Sequence, residues 1–250
     1  MVVIDALTYV GESVYLKRRF TAEDLIEMMD TNGIDMAVVT APPPGPDYQR
    51  ANEGVYEAVR KYPDRLVGFY KINPWFKEAE LERAERAVRE WGFRGFKLDP
   101  KDDSFHVGTS IVKPVMELAE MLEVPIFFQT GDSSFCPPEA IAFMAPSFPK
   151  VTIIMSHTDL GVRLATYPRL SEDLKNIYFG TYPLRGGHKG IDRFLRLITS
   201  RTIDPKRVVF TTEMPFGHPK FELKVIELSN LDEEAKKLIM GENIKRILRL

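Results

Sequence analysis

The amino-acid sequence predicts an α/β protein: a single parallel (β/α)8 barrel, distorted, over residues 1–250. Three observations predict it. Eight apolar runs of strand length recur at intervals of about 25 to 34 residues, the period of a strand–helix unit. The runs are continuous rather than alternating, which suits parallel strands buried on both faces. The spacers carry helical periodicity, and no Pro/Gly/Ser-rich linker divides the chain.

The elements follow in order. VVIDALTYV from Val2 is the first strand, and Thr21 to Asp24 forms a capping box opening the first helix. MAVVTAP from Met36 is the second strand, leading into the stiff loop Pro42 to Pro46. Ala51, Val55, Ala58, Val59 and Tyr62 make the next helical stripe, before LVGFYKINP from Leu66. Leu81, Ala84, Val88 and Trp91 share a helical face that Gly92 stops, before RGFKLDP from Arg94. Val112, Val115, Ala119 and Leu122 precede VPIFFQTGD from Val124. VTIIMSHTDL from Val151 and NIYFGTYP from Asn176 are strands six and seven. Ile191, Phe194, Leu195 and Ile198 then form a stripe before RVVFTTEMPFGHP from Arg207. Phe221, Val225 and Leu228 form the eighth stripe. An extra C-terminal segment, Leu231 to Leu250, reads as helical with a break at Gly241. The competing architecture, a doubly wound open sheet, would show a glycine-rich first turn, and Val10-Gly11-Glu12 has no GxGxxG.

Composition narrows the function classes. A net charge of −2 with 28% charged residues lacks the basic excess of a nucleic-acid binder. No apolar stretch approaches the roughly 20 residues a spanning helix needs, and the first residues lack a signal peptide's basic region. One cysteine, Cys136, forbids an intrachain disulfide. The expectation is a cytoplasmic protein with a small-molecule ligand and no nucleic-acid or membrane partner.

Barrel active sites lie at the C-terminal ends of the strands, so the polar residues that close each run are the candidates. They include Asp5 and Tyr9, Lys71 and Asn73, Lys97 and Asp99, Gln129, Thr130 and Asp132, His157, Tyr182, Thr212 and Glu213. Arg185 stands in a basic, glycine-rich loop after the seventh run. Such a loop holds anionic groups in some barrels and is plain solvated chain in others. His106, His218 and Cys136 are not expected to do chemistry.

Several motifs, in order and spacing, resemble the amidohydrolase-related (amidohydrolase 2) branch of the metal-dependent TIM-barrel hydrolases. They are Ile4-Asp5-Ala6, Gly95-Phe96-Lys97-Leu98 with Pro100, Thr130-Gly131-Asp132, Ile153 to His157, Val209-Phe210 with Pro215 to Pro219, and Gly241-Glu242-Asn243. The resemblance implies a hydrolase, decarboxylase or lactonase, and often a homodimer. It also marks departures. Where the family has its first His pair, this chain has Leu7 and Tyr9. Gln129 replaces the fifth-strand His, Glu213 the eighth-strand Asp, and Asp99 the His often seen after Lys-Leu; His157 is unchanged.

Zinc wants at least three strong protein ligands at about 2.0–2.2 Å. Leu7 offers none, and Gln129 offers only a neutral carbonyl oxygen. Tight zinc is therefore not expected; the residual ligands Gln129, His157 and Glu213 would hold a divalent ion only weakly. Two functional readings stay open. One is an enzyme acting on a small anionic substrate, with His157 and Glu213 as acid–base pair and Tyr9, Lys71, Lys97, Asp99, Gln129 and Arg185 binding substrate. The other is a catalytically inactive relative that binds a ligand or serves assembly. In the second, Lys97–Asp99 is a structural salt bridge and Tyr9 merely fills the volume once held by metal.

Overall fold

The structure, a computed structural model, describes residues 1–43, 48–130, 134–156, 174–181 and 194–250. Strand β1 (Ile4–Tyr9) runs into a hairpin, β2 (Gly11–Ser13) and β3 (Arg18–Phe20), that the sequence did not announce. Helix α1 (Ala22–Asn32) follows, with the expected capping box: Thr21 Oγ1 accepts from Asp24 N, and Asp24 accepts from Thr21 N. Next come β4 (Met36–Thr40), α2 (Gln49–Lys61), β5 (Leu66–Gly68), β6 (Tyr70–Lys71) and α3 (Lys77–Trp91). Gly92 ends α3 in the left-handed region at φ 73°, as its position predicted. Then β7 (Phe96–Leu98), α4 (Lys113–Leu122), β8 (Ile126–Phe128), α5 (Pro138–Met144), β9 (Ile153–Met155), β10 (Ile177–Gly180) and β11 (Val208–Val209) complete the strands. Residues 194–199 are helical.

The strands form parallel ladders, β1-β4-β5 and β6-β7-β8-β9-β10-β11. The third apolar run is one strand broken at Phe69, whose N–H still bonds Val39 O while Tyr70 N bonds Gly95 O. The seam between last and first strands is also bonded: Ala6 N to Phe210 O at 2.8 Å, Glu213 N to Leu7 O at 3.0 Å and Tyr9 N to Met214 O at 2.8 Å. The (β/α)8 reading therefore holds.

Alternation sorts the strand residues. Phe96, Leu98, Ile126, Phe128, Ile153 and Met155 face the helices in one apolar cluster with Leu25, Val55, Ala84 and Val115. Ile4, Ala6, Leu7, Val38, Val67, Phe69, Phe127, Ile154 and Val209 pack together inside the ring. Lys97 lies between Phe96 and Leu98, and so points inward.

The C-terminal segment corrects one expectation. Gly241 does not break the helix. After α6 (Pro219–Glu227) and α7 (Glu233–Lys237), a π-helical turn, Leu238–Glu242, passes through Gly241 into α8 (Asn243–Leu248). The glycine is there for room, since a Cβ would collide with Val2 O. Ile244 and Leu248 of α8 join the inner cluster, and Asn243 Nδ2 donates to Pro205 O and Val208 O, both at 2.7 Å.

Candidate active site

Two rows of polar side chains rise from the inner cluster. The lower row is Lys71 and Lys97, paired in register between β6 and β7 and wholly buried. Asn52 of α2 fixes the Lys71 backbone on both sides: its Oδ1 accepts from Lys71 N at 2.8 Å, and its Nδ2 donates to Lys71 O at 2.9 Å. Asp99, two residues past Lys97 and also wholly buried, is ion-paired to both amines. Lys71 meets its Oδ2 and Lys97 its Oδ1, the latter at 2.7 Å. Lys97 Nζ also reaches Leu98 O at 3.3 Å.

Lys71 has further company. Its Nζ sits 4.9 Å from the Tyr48 ring centroid, and the Tyr48 hydroxyl donates to Asp103 Oδ1 at 2.7 Å. Burial pulls the Lys71 amine down to about 8 against the opposing pull of Asp103 and Asp102. Burial, followed by the neighbouring Lys71 charge, holds the Lys97 amine well below the usual lysine range. The charge of Glu213 partly resists that shift. Burial likewise raises the Asp103 carboxyl.

The upper row joins three strand ends. The Tyr9 hydroxyl donates to Gln129 Oε1 at 3.4 Å, and Gln129 Nε2 donates to Glu213 Oε1 at 3.1 Å. Gln129 is half-buried, while Tyr9 and Glu213 are nearly closed off. Gln129 N bonds Leu98 O at 2.8 Å, which places it one row above Lys97, whose register partner is Phe127. The Tyr9 ring meets Phe216 edge-on at 5.3 Å. Tyr9 therefore combines apolar packing with a hydroxyl bonded across the mouth. Glu213 stands at φ 55°, a left-handed backbone that costs a non-glycine residue about 1 kcal/mol or more. Its carbonyl accepts from Phe216 N and Gly217 N, which holds the turn.

Below Glu213 lies a support the sequence reading undervalued. A bulge in β1 follows Asp5, and Asp5 Oδ1 accepts the N–H groups of Leu7 and Thr212 at 3.1 and 3.0 Å. The Thr212 hydroxyl donates to Asp5 Oδ2. Burial outweighs these bonds and raises the Asp5 carboxyl to about 7. Tyr48, Asn52 and Asp103 were also missed. They lie away from strand ends, and nothing in their spacing marked them.

His157, Arg185, Asp132 and Tyr182 lie outside the described residues. Asn73 caps a turn, accepting from Trp75 N at 3.1 Å. Cys136 is wholly buried, and burial pushes its thiol up to about 12, far from a nucleophile.

The described residues do not fit a zinc or manganese ion. Leu7 is buried and offers no donor atom. Gln129 turns an N–H toward Glu213, so the two side chains bond one another rather than converge on a shared cation. Among the described residues no group of three or more His, Cys, Asp or Glu gathers as a ligand set. Nor does any described helix have the length and apolarity to cross a membrane.

Comparison with known proteins agrees with this architecture. The Amidohydro_2 family model, described as amidohydrolase, matches residues 4–250. No curated protein matches the sequence. Three solved structures are similar. 2,6-Dihydroxybenzoate decarboxylase from Rhizobium is 17% identical at TM-score 0.77, covering 100% of this chain and 99% of that one. 5-Carboxyvanillate decarboxylase from Novosphingobium aromaticivorans, complexed with manganese and 4-hydroxy-3-methoxy-5-nitrobenzoic acid, is 15% identical at 0.80, covering 100% and 96%. 4-Oxalomesaconate hydratase from Rhodopseudomonas palustris is 18% identical at 0.74, covering 99% and 96%. At these identities the likeness establishes the fold.

Proposed function

The chain belongs to the amidohydrolase family Amidohydro_2, and on that premise we propose that it is a hydrolase or lyase acting on a small carboxylate-bearing substrate without a tightly held zinc. The observation that carries this reading is the hydrogen-bonded chain Tyr9–Gln129–Glu213, which joins three strand ends that the resemblance matches to the family's ligand positions. Glu213 is the general base: its carboxylate takes a proton from water or substrate while Gln129 fixes its orientation. His157 serves as its acid partner. Lys97, with Tyr9, stabilises negative charge developing on a carbonyl oxygen. Lys71, Asp99 and Arg185 complete the anion-binding side of the pocket. Aromatic carboxylic acids are the first substrates to try, because two of the similar structures are decarboxylases of such acids.

Purified protein is offered hydroxybenzoates, lactones and aryl esters, with metal content measured in the same preparation. Turnover by metal-free protein that disappears in Glu213→Gln supports the reading. Turnover that tracks bound metal overturns it. The complete burial of Lys71, Lys97 and Asp99 favours a second reading, a ligand-binding relative without catalysis. Thermal stabilisation by these acids, with no turnover of any compound, would select it.

A further inference from the structure

Threonine hydroxyls on the barrel strands find partners inside the protein. Thr8 Oγ1 donates to Val38 O at 2.8 Å, Thr181 Oγ1 to Thr211 O at 3.3 Å, and the Thr212 hydroxyl to Asp5 Oδ2. Thr40, the last residue of β4, differs. Its hydroxyl is wholly buried and has no hydrogen-bond partner among the described residues. A buried hydroxyl left unpaired works against folding, so its presence calls for a use.

Alternation along β4 aims that hydroxyl at the inside of the ring. Val38 lies in the inner cluster, whereas Ala37 and Val39 face the helices. On one side Thr40 is the register partner of Tyr9. On the other side Val38 stands beside Val67 and Val39 beside Gly68, so the next inward residue, Phe69, is level with Thr40. Lys71 is the inward residue after Phe69, one step nearer the mouth. Its ammonium is also wholly buried. It is ion-paired with Asp99, yet its nitrogen makes no aligned hydrogen bond among the described residues. An ammonium carries three N–H donors. Two neighbouring strand ends therefore each present a buried donor with capacity to spare.

From this geometry we propose that Thr40 is a specificity-determining residue: its hydroxyl donates to one oxygen of the substrate carboxylate while the Lys71 ammonium holds the other. Such a seat suits a carboxylate, in which both oxygens accept. It rejects the matching carboxamide, whose NH2 group would face the Lys71 donors. Tyr9 and Phe69 flank Thr40 and are closed to solvent, so water does not compete for these bonds. The inference rests on the proposed reading of the pocket as a site for carboxylate-bearing substrates.

The test is calorimetric binding of benzoate, 2-hydroxybenzoate and 3-oxoglutarate to wild type, Thr40→Val and Thr40→Ser, with a thermal melt of each protein. The acid that binds wild type should bind Thr40→Val about 10- to 100-fold more weakly, the worth of a hydrogen bond to a charged group. Thr40→Ser should recover most of that affinity, and the carboxamide of the same acid should bind wild type poorly. The melting point of Thr40→Val should equal or exceed that of wild type, because the substitution removes an unpaired buried hydroxyl; a purely structural hydroxyl would lower it. Should Thr40→Val fail to fold, Thr40→Ala carries the same comparison. Equal affinity of wild type and the hydroxyl-free variant overturns the inference and leaves the proposed function standing. Wild-type protein that binds none of the acids overturns both.

Discussion

Gln129 donates to Glu213 Oε1 across 3.1 Å, joining two strand ends 84 residues apart in sequence. The same carboxamide accepts from Tyr9 through its oxygen, so its two ends are assigned and the Glu213 carboxylate is aimed. A neutral side chain thus supplies Glu213 with its hydrogen bond across the mouth.

Glu213→Gln removes the proton acceptor while keeping size and most hydrogen bonding. General-base catalysis is typically worth about 10²–10⁴-fold, so kcat should fall by that order with an unchanged melting temperature. Steady-state kinetics and a thermal melt on the same sample check it. An unchanged kcat would remove Glu213 from the mechanism.

Rebuilding the family's ligands should create a metal site. Leu7→His, Tyr9→His, Gln129→His and Glu213→Asp together supply imidazole and carboxylate donors on the strand ends that carry the present relay. Elemental analysis and calorimetry should find near-stoichiometric zinc or manganese in this variant. A folded variant that takes up neither metal would show that these four positions do not correspond to the family's ligands.

Asp99 is the hinge of the charge balance. Asp99→Asn leaves two buried amines without their shared carboxylate, a loss of about 3–5 kcal/mol for a broken buried pair. Lys71→Met should cost less, because Lys97 still pairs with Asp99. Denaturant unfolding of both variants measures the order; a Lys71→Met loss equal to that of Asp99→Asn would contradict it.

Asp5 makes a pH signature. Its carboxyl is raised from 3.8 to about 7 in the fold, so the folded state holds a proton that the unfolded state has lost across that interval. Stability therefore falls as pH rises from about 4 to about 7. Asp5→Asn should flatten that slope in denaturant titrations at several pH values, since an amide can still accept from Leu7 and Thr212. A slope unaffected by the substitution would assign it to another group.

Gly241→Ala drives a methyl group into the Val2 carbonyl. Overpacking of this kind costs about 1–3 kcal/mol. A thermal melt reads it directly, and an unchanged midpoint would mean that the π turn shifts freely.

The barrel was legible because Phe96, Leu98, Ile126 and Phe128 need no partner to declare themselves: apolar runs at a fixed period state their burial. Gly92 and the Thr21 cap were legible for a similar reason, being local backbone chemistry. Gly241 was misread because a helix-breaking residue looks the same as one chosen for close approach, and only the position of Val2 separates them. The Lys71–Asp99–Lys97 cluster depends on the register of β6 against β7, which no single strand encodes. Tyr9, Gln129 and Glu213 were named from their strand ends, but their mutual bonding depends on which rotamers meet across the mouth. The hairpin β2–β3 has no turn signal stronger than ordinary loop residues.

The bonded seam between β1 and the strand after Arg207 orders events in time. Ala6 and Tyr9 find their carbonyl partners only at Phe210 and Met214, some two hundred residues later in synthesis. Until then the edge of the opening strand that faces away from β4 has no partner on the growing chain and is exposed to whatever else could pair with it. Assembly of the mouth, with Tyr9 on one lip and Glu213 on the other, is therefore among the last acts of folding.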